Sequence, residues 1–395
     1  MAFRTTSWKN SDIGKIPSDW NVKKVKNYTD IVTGGTPSTQ NGRFWGGDIR
    51  WMNSGELNKK NIYDVEKRIT EEGLINSSTS LIPLKCVLVG LAGQGKTRGT
   101  VAMNFVPLCT NQSIAAILPN KTFDSKFVYH NLDNRYLELR SLSTGEGGRG
   151  GLNKNILLNV NIAMPSLPEQ QKIAEVLTDL DDLIAELENV RDKKQAIKIG
   201  AMQELLTGKR RLPGFNKPWK EVELGELLTY EQPQNYIVRS EEYRKTGTPV
   251  LTAGKTFVLG YTDEIDNIFS SVPVIIFDDF TTVSKFVNFP FKVKSSAIKI
   301  LKLKNIEDNL KFIFEVMQIT PFNLLNHQRY WISKYSKMSI KVPEYIEQTA
   351  IANVLSDMDN EISAINDKIN KYKQIKAGVA DELLSGRIRL IKPQE

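Results

Sequence analysis

Residues Gly90-Leu-Ala-Gly-Gln-Gly95-Lys96-Thr97 satisfy the spacing G-x-x-x-x-G-K-[ST], in which backbone amides and a lysine cradle nucleotide phosphates. Val274-Ile-Ile-Phe-Asp278-Asp279 has the form of the apolar strand ending in acid that would hold magnesium beside such a loop. That chemistry needs a strand before the loop and a helix straight after it, with the helix N-terminus aimed at phosphate. Cys86 to Val89 can supply the strand, but Arg98-Gly-Thr-Val-Ala-Met-Asn-Phe-Val-Pro107 follows, a β-branched stretch closed by proline, so no amphipathic helix begins there. The acid also lies about 180 residues further on. A P-loop ATPase is therefore the alternative and not the expectation.

The same residue types suit a loop that faces DNA. Gln94, Lys96, Thr97 and Arg98 offer donors to phosphates and base edges on a glycine-rich backbone, and Asn111, Gln112 and Ser113 follow on the next strand-like stretch. Thr281, Thr282, Lys285, Lys292, Lys294 and Ser295 occupy the comparable stretch of the second half. His327, Gln328 and Arg329 fall just before its last strand, where Arg149 stands in the first half. We expect these residues to touch DNA as a set, and we expect no catalytic residue. There is no Asn-Pro-Pro-Tyr or Asp-Pro-Pro-Tyr methyltransferase signature, Cys86 and Cys109 read as buried thiols, and His130 and His327 are too few for a Cys/His zinc site.

Charge agrees. Lys and Arg number 53 against 45 Asp and Glu, a net +8 with a pI near 9.1. The two segments described next carry 8 basic residues against 9 acidic and 6 against 8, so an excess of +11 lies outside them. Basic modules on a neutral spacer are the arrangement expected of a chain whose modules meet a polyanion. No apolar run approaches the roughly 20 residues needed to cross a bilayer, and we expect a cytoplasmic chain with no membrane contact.

What positions the loops is an internal repeat. Pro165 to Leu212 aligns without a gap on Pro343 to Leu390 at a constant shift of 178, with about 20 of 48 pairs identical. Apolar residues Ile351, Leu355, Met358, Ile362, Ile365 and Ile369 alternate steps of four and three, the seam of a coiled coil. Ile173, Leu177, Leu180, Ile184 and Leu187 do the same before Arg191 and Lys194 interrupt the seam. Proline opens each segment, and Gly208 and Gly386 close them. Two helices of about 36 residues, each about 54 Å long, would most simply pair with each other. The region between them calls for an antiparallel pairing, with the variable regions at opposite ends. The variable regions share little sequence but the same order of elements: a tryptophan with an alternating strand, then a short apolar run, a polar turn and another strand. The expected fold is α+β, with two mixed α/β domains joined by two long helices that pair as an antiparallel coiled coil, in an internal pseudo-two-fold repeat. The boundaries fall at 1–163, 164–212, 213–341 and 342–395. A coiled-coil scaffold without DNA specificity is the other alternative.

The chain resembles the specificity (S) subunits of type I restriction-modification systems over almost its whole length. The resemblance rests on the Pro-x-x-x-Glu-Gln openings at Pro165, Glu169, Gln170 and Pro343, Glu347, Gln348, and on the Glu-Leu-Leu-[Thr/Ser]-Gly endings at 204–208 and 382–386. It rests also on Gly34-Gly-Thr-Pro-Ser38 with Phe44-Trp-Gly-Gly-Asp-Ile-Arg-Trp51, and on residues 93–99 and Phe277-Asp-Asp-Phe-Thr281 as variants of one loop. The second half has Glu231-Gln-Pro-Gln-Asn235 in place of the Gly34 motif. The resemblance implies two target-recognition domains, each reading half of a split double-stranded DNA site, and a helical spacer that docks two methyltransferase subunits. Restriction/translocase subunits would join for cleavage. S-adenosylmethionine, ATP and magnesium would belong to those partners, with no cofactor bound by this chain.

Overall fold

A computed structural model describes residues 3–93, 95–142, 151–252, 254, 256–322 and 330–392. The chain divides into two compact units, Met1–Leu187 with Lys368–Glu395, and Glu188–Asp367. The division differs from the boundaries drawn on sequence, because each unit takes part of both long helices.

The core of the first unit is a five-stranded sheet of β1 (Ile31–Thr33), β2 (Asn61–Ile62), β3 (Val87–Gly90), β4 (Val101–Asn104) and β5 (Ile114–Ile117), in the order β1-β5-β3-β4-β2. Every residue of β3, β4 and β5 is buried, so these strands read as continuous apolar runs without alternation. Helices α1 (Ser125–Asn134) and α2 (Tyr136–Ser141) follow. Trp45–Met52 pairs antiparallel with Lys67–Ile69 and parallel with Cys109–Thr110 in a smaller sheet, and Asn21–Lys24 pairs with Asn161–Met164.

The second unit repeats this plan. Strands β6 (Leu228–Glu231), β7 (Val274–Asp278), β8 (Ser284–Val287) and β9 (Ile298–Leu303) run in the order β6-β9-β7-β8, equivalent to β1-β5-β3-β4. Thr248–Leu251 pairs antiparallel with Val258–Thr262 and parallel with Lys292–Val293, and Lys220–Glu223 pairs with Ser339–Val342. Both units are thus mixed α/β, as their strand and turn residues imply.

The long helices are α3 (Leu167–Leu205) and α5 (Tyr345–Leu384); between them in the chain lies α4 (Leu310–Ile319), the counterpart of α1. Each long helix ends on a left-handed glycine, Gly208 at φ 69° and Gly386 at φ 73°, as the sequence asks. In the first unit Ile173 and Leu177 share a core with Ala380, Leu383 and Leu384. In the second, Met202, Leu205 and Leu206 share one with Ile351, Ala352 and Leu355. The start of one helix therefore lies beside the end of the other in each unit, which is antiparallel packing. Ile184 and Ile369 are buried, whereas Leu180, Leu187, Met358, Ile362 and Ile365 are half-buried. Asp181 meets Lys376 at 2.5 Å in the first unit, and Lys198 meets Asp359 at 2.5 Å in the second. These are the same two repeat positions with their helices exchanged.

Candidate nucleic-acid interface

Because β1, β5, β3 and β4 are antiparallel neighbours, the loops leaving β1 and β3 and entering β5 emerge at one end of the sheet. Backbone bonds join them: Gly34 N donates to Ile114 O at 3.3 Å, Gly35 N to Thr110 O at 2.9 Å, and Leu91 N to Ser113 O at 2.8 Å. The segments 34–41, 91–93, 95–100 and 110–113 therefore form one polar surface. It brings together Lys96, Thr97, Arg98, Asn111, Gln112 and Ser113 of the expected set. Lys96 and Gln112 are exposed, and Thr97, Arg98 and Ser113 are half-buried. The Asn111 side chain accepts from Ser113 N at 3.2 Å and shapes its own turn. Gln94 and Arg149 lie outside the described residues, as do His327, Gln328 and Arg329 of the second unit.

Segment 34–41 joins this surface without having been among the expected contacts. Thr36 Oγ1 donates to Gln112 Oε1 at 2.6 Å, with both residues exposed. Its backbone is pinned from behind by two indoles, Trp51 Nε1 donating to Gly35 O at 2.9 Å and Trp45 Nε1 to Ser38 O at 3.1 Å. A Cβ on Gly34 would sit 2.0 Å from Thr110 O, so only glycine lets the loop press this close. The signal was available: glycines and tryptophans of the Gly34 and Phe44 motifs are residues that fix a loop.

Segment 91–100 runs straight into β4, a strand, which removes the helix that nucleotide binding requires. The acid of the ATPase alternative is used structurally as well. Asp279 is 2% exposed, lies 3.3 Å from Lys299 and accepts from Trp331 N at 2.9 Å. Among the described residues no group of three His, Cys, Asp or Glu side chains is placed to hold a metal ion. Cys86 and Cys109 are buried free thiols, which burial pushes up to about 12 and about 11.

In the second unit the equivalent loops are 279–283 and 294–297. Thr281 is exposed and Thr282 sits at φ 57°, with Lys285 half-buried on β8. Lys294 pairs with Glu241, and Ser295 Oγ accepts from Ala297 N at 3.1 Å. Lys292 departs from the expectation. It is 1% exposed, 2.9 Å from Glu264, and donates to Asp266 O at 2.9 Å, so its charge is spent inside the unit. It belongs to a strand parallel to Thr248–Leu251 of which both residues are buried, so that pairing takes Lys292 inside.

The openings of the long helices anchor them to these domains. Gln170 Oε1 accepts from Asp124 N, the N-cap residue of α1, at 2.9 Å, and its Nε2 donates to Pro165 O at 2.9 Å. Gln348 does the same with Asn309 N, the N-cap residue of α4, at 2.8 Å and with Pro343 O at 3.0 Å. Beside them, Glu169 accepts from both Arg389 Nε and Nη2 at 2.6 Å and from Trp20 Nε1 at 3.3 Å. Glu347 accepts from Arg211 Nη2 at 2.6 Å. Arg389 and Arg211 are equivalent positions of the repeat, each about 5.5 Å from the ring of Trp20 or Trp219.

Both halves of the chain match the type I restriction modification DNA specificity domain, over residues 17–198 and 216–375. The chain belongs to that family. Among its relatives in the specificity family are the EcoR124I/EcoR124II specificity subunit of Escherichia coli, 38% identical over 47% of this chain and 48% of that one, and the MjaIX specificity subunit of Methanocaldococcus jannaschii, 32% identical over 62% and 60%. These matches span about half and three-fifths of the relatives' length. The MjaVIII specificity subunit of the same archaeon is 22% identical over 98% of this chain and 97% of that one. In fold, the chain is similar to the S subunit of a type I system from M. genitalium, with a TM-score of 0.66 at 14% identity over 96% of this chain and 98% of that one. No helix among the described residues is long and apolar enough to cross a membrane.

Proposed function

We propose that this chain is the non-catalytic specificity subunit of a type I restriction-modification complex, in which the loop cluster of each unit reads one half of a split DNA site. The observation that carries this reading is the duplication of one domain plan, each copy presenting polar loops at the same end of its sheet and each sharing its core with the start of one long helix and the end of the other. Base-edge hydrogen bonds from the loops would set sequence preference, and Lys and Arg on phosphates would supply most of the affinity. The helices would dock two methyltransferase subunits, with restriction/translocase subunits joining them in the cytoplasm. S-adenosylmethionine, ATP and magnesium would be held by those partners, where the target adenine would be flipped for methylation. Footprinting of the complex reconstituted with its methyltransferase tests this. Protection of one sequence in two separated blocks supports it, and uniform protection of any duplex defeats it.

A further inference from the structure

The loop that mimics a nucleotide-binding signature has an unusual backbone. The carbonyls of Gly95, Lys96, Thr97 and Arg98 are all held by donors of the unit itself. Arg140 Nη1, from α2, donates to Gly95 O at 2.6 Å and to Arg98 O at 3.4 Å. Lys96 O accepts from Tyr136 Oη at 3.1 Å and from Thr100 Oγ1 at 2.6 Å, and Thr97 O accepts from Thr100 N at 3.0 Å. In a trans peptide the N–H points opposite to the preceding carbonyl. Carbonyls of Gly95 and Lys96 held inward therefore turn the amides of Lys96 and Thr97 outward. Among the described residues neither amide has a partner, nor has the Lys96 ammonium or the Thr97 hydroxyl. Gly90 and Gly99 make the fold possible: Gly99 N donates to Gly90 O at 2.9 Å across the neck of the loop, and a Cβ on Gly90 would lie 2.2 Å from Thr97 O.

We propose that the amides of Lys96 and Thr97, with the Lys96 ammonium and Thr97 hydroxyl, hold one backbone phosphate of DNA beside the first half-site, and that Arg140 and Tyr136 are its positioning residues. Successive outward amides beside a lysine side chain form an anion-binding concavity without a helix. The ligand is a phosphodiester and not a nucleotide, since the strand β4 leaves no helix terminus for a polyphosphate chain. Among the described residues of the second unit the site is not repeated. In its equivalent loop the amides of Phe280 and Thr281 both donate, at 2.9 Å, to the Asp278 carboxylate, which occupies them with the protein's own anion. The two recognition surfaces thus differ in how they grip the backbone, and the first holds a register-setting contact that carries no base information.

The inference rests on the proposed DNA-recognition function, and its test separates the two. The full chain with its methyltransferase would be titrated at several salt concentrations against a duplex carrying the footprinted site, and against duplexes with single neutral methylphosphonates through the first half-site. Lys96→Ala should weaken binding, make the slope of log affinity against log salt shallower by about 0.9, and leave the methylated motif unchanged. One methylphosphonate position should weaken the wild type but not further weaken Lys96→Ala. Tyr136→Phe should reduce the penalty at that same position without lowering the unfolding temperature. An unchanged slope, a penalty that simply adds to the substitution, or a motif relaxed at a base would overturn the phosphate site. A wild-type complex that protects no split sequence would instead overturn the underlying function.

Discussion

Glu169 and Glu347 occupy one repeat position in different surroundings, and the difference decides what each is worth. Glu169 is 1% exposed, and its partner Arg389 is 2% exposed and also held by Asp19 at 2.7 Å. Arg389 keeps the Asp19 carboxyl below its ordinary range, so the stability from that pair is present at neutral pH and is lost only as pH falls through the lowered value. Arg211 has a quarter of its side chain in water, and among the described residues Trp219 Nε1 has no partner where Trp20 has Glu169. Glu169→Gln should therefore cost about 1–3 kcal/mol, because it removes one of the two carboxylates on a buried guanidinium and leaves Asp19 alone to hold it. Glu347→Gln should cost clearly less, because Arg211 can rehydrate. Hydrogen-exchange protection followed separately in the two units would show it, and equal losses would contradict the burial argument. A second residue pair carries a pH signature. His130 packs on α3 with Nε2 3.1 Å from Thr178 Oγ1 and Nδ1 3.8 Å from Asp181. Burial, with Lys376 and Lys126 adding to it, pushes its imidazole down to about 3 from 6.5. The unfolded chain binds that proton first, so the first unit should lose stability as pH falls below about 6.5. Asp181, raised by burial against the pull of Lys376, works in the opposite direction. Replacing His130 by Gln should remove the first contribution and leave the second, flattening unfolding curves taken from pH 7 to pH 5.

At the scale of elements, the same glutamine fastens each long helix to a helix of its domain. Gln170→Ala would strand the amide of Asp124 and the carbonyl of Pro165, and Gln348→Ala would strand their equivalents. Each should cost about 1–3 kcal/mol and raise exchange at the first turn of α1 or α4. Unaltered exchange there would show that the bonds are dispensable. The helices themselves were legible because a 3.5-residue apolar period and a terminal glycine are local signals. The strands were legible as apolar or alternating runs bounded by turns. The partners of the helix openings were not legible, although Arg211 and Arg389 match at the same shift as Glu169 and Glu347. An ion pair 220 residues apart leaves no periodic trace. Lys292 was misplaced for a related reason. Its neighbours Lys294 and Ser295 look solvent-facing, and only pairing with a strand some 40 residues earlier decides which face it takes. Thr36 was missed because its neighbour Gln112 is brought to it by sheet order and not by spacing.

For the whole molecule, the duplication seen in the helices extends to the recognition domains, whose sequences hide it. Strand order and the parallel pairing in each small sheet recur although the residues differ, because a buried strand asks only for apolar side chains of suitable volume. The chain ends belong to this plan unequally. Phe3–Arg4 pairs antiparallel with Ile388–Arg389, and Thr5 N donates to Arg387 O at 3.1 Å, so both ends of the described chain are sewn into the first unit. The second unit is the uninterrupted stretch Glu188–Asp367. A chain ending at residue 367 lacks Ala380, Leu383, Leu384 and Arg389. Limited proteolysis should then cut within 1–187 while 188–367 stays protected, and equal protection of the two would contradict the division. On the ribosome the same arrangement sets an order of completion. The second unit has all its residues once position 367 has emerged, whereas the first, although translated earliest, must wait with Ile173 and Leu177 uncovered until the last segment arrives. Of the two units, the one whose translation begins earlier is completed later, and it carries uncovered apolar surface in the interval.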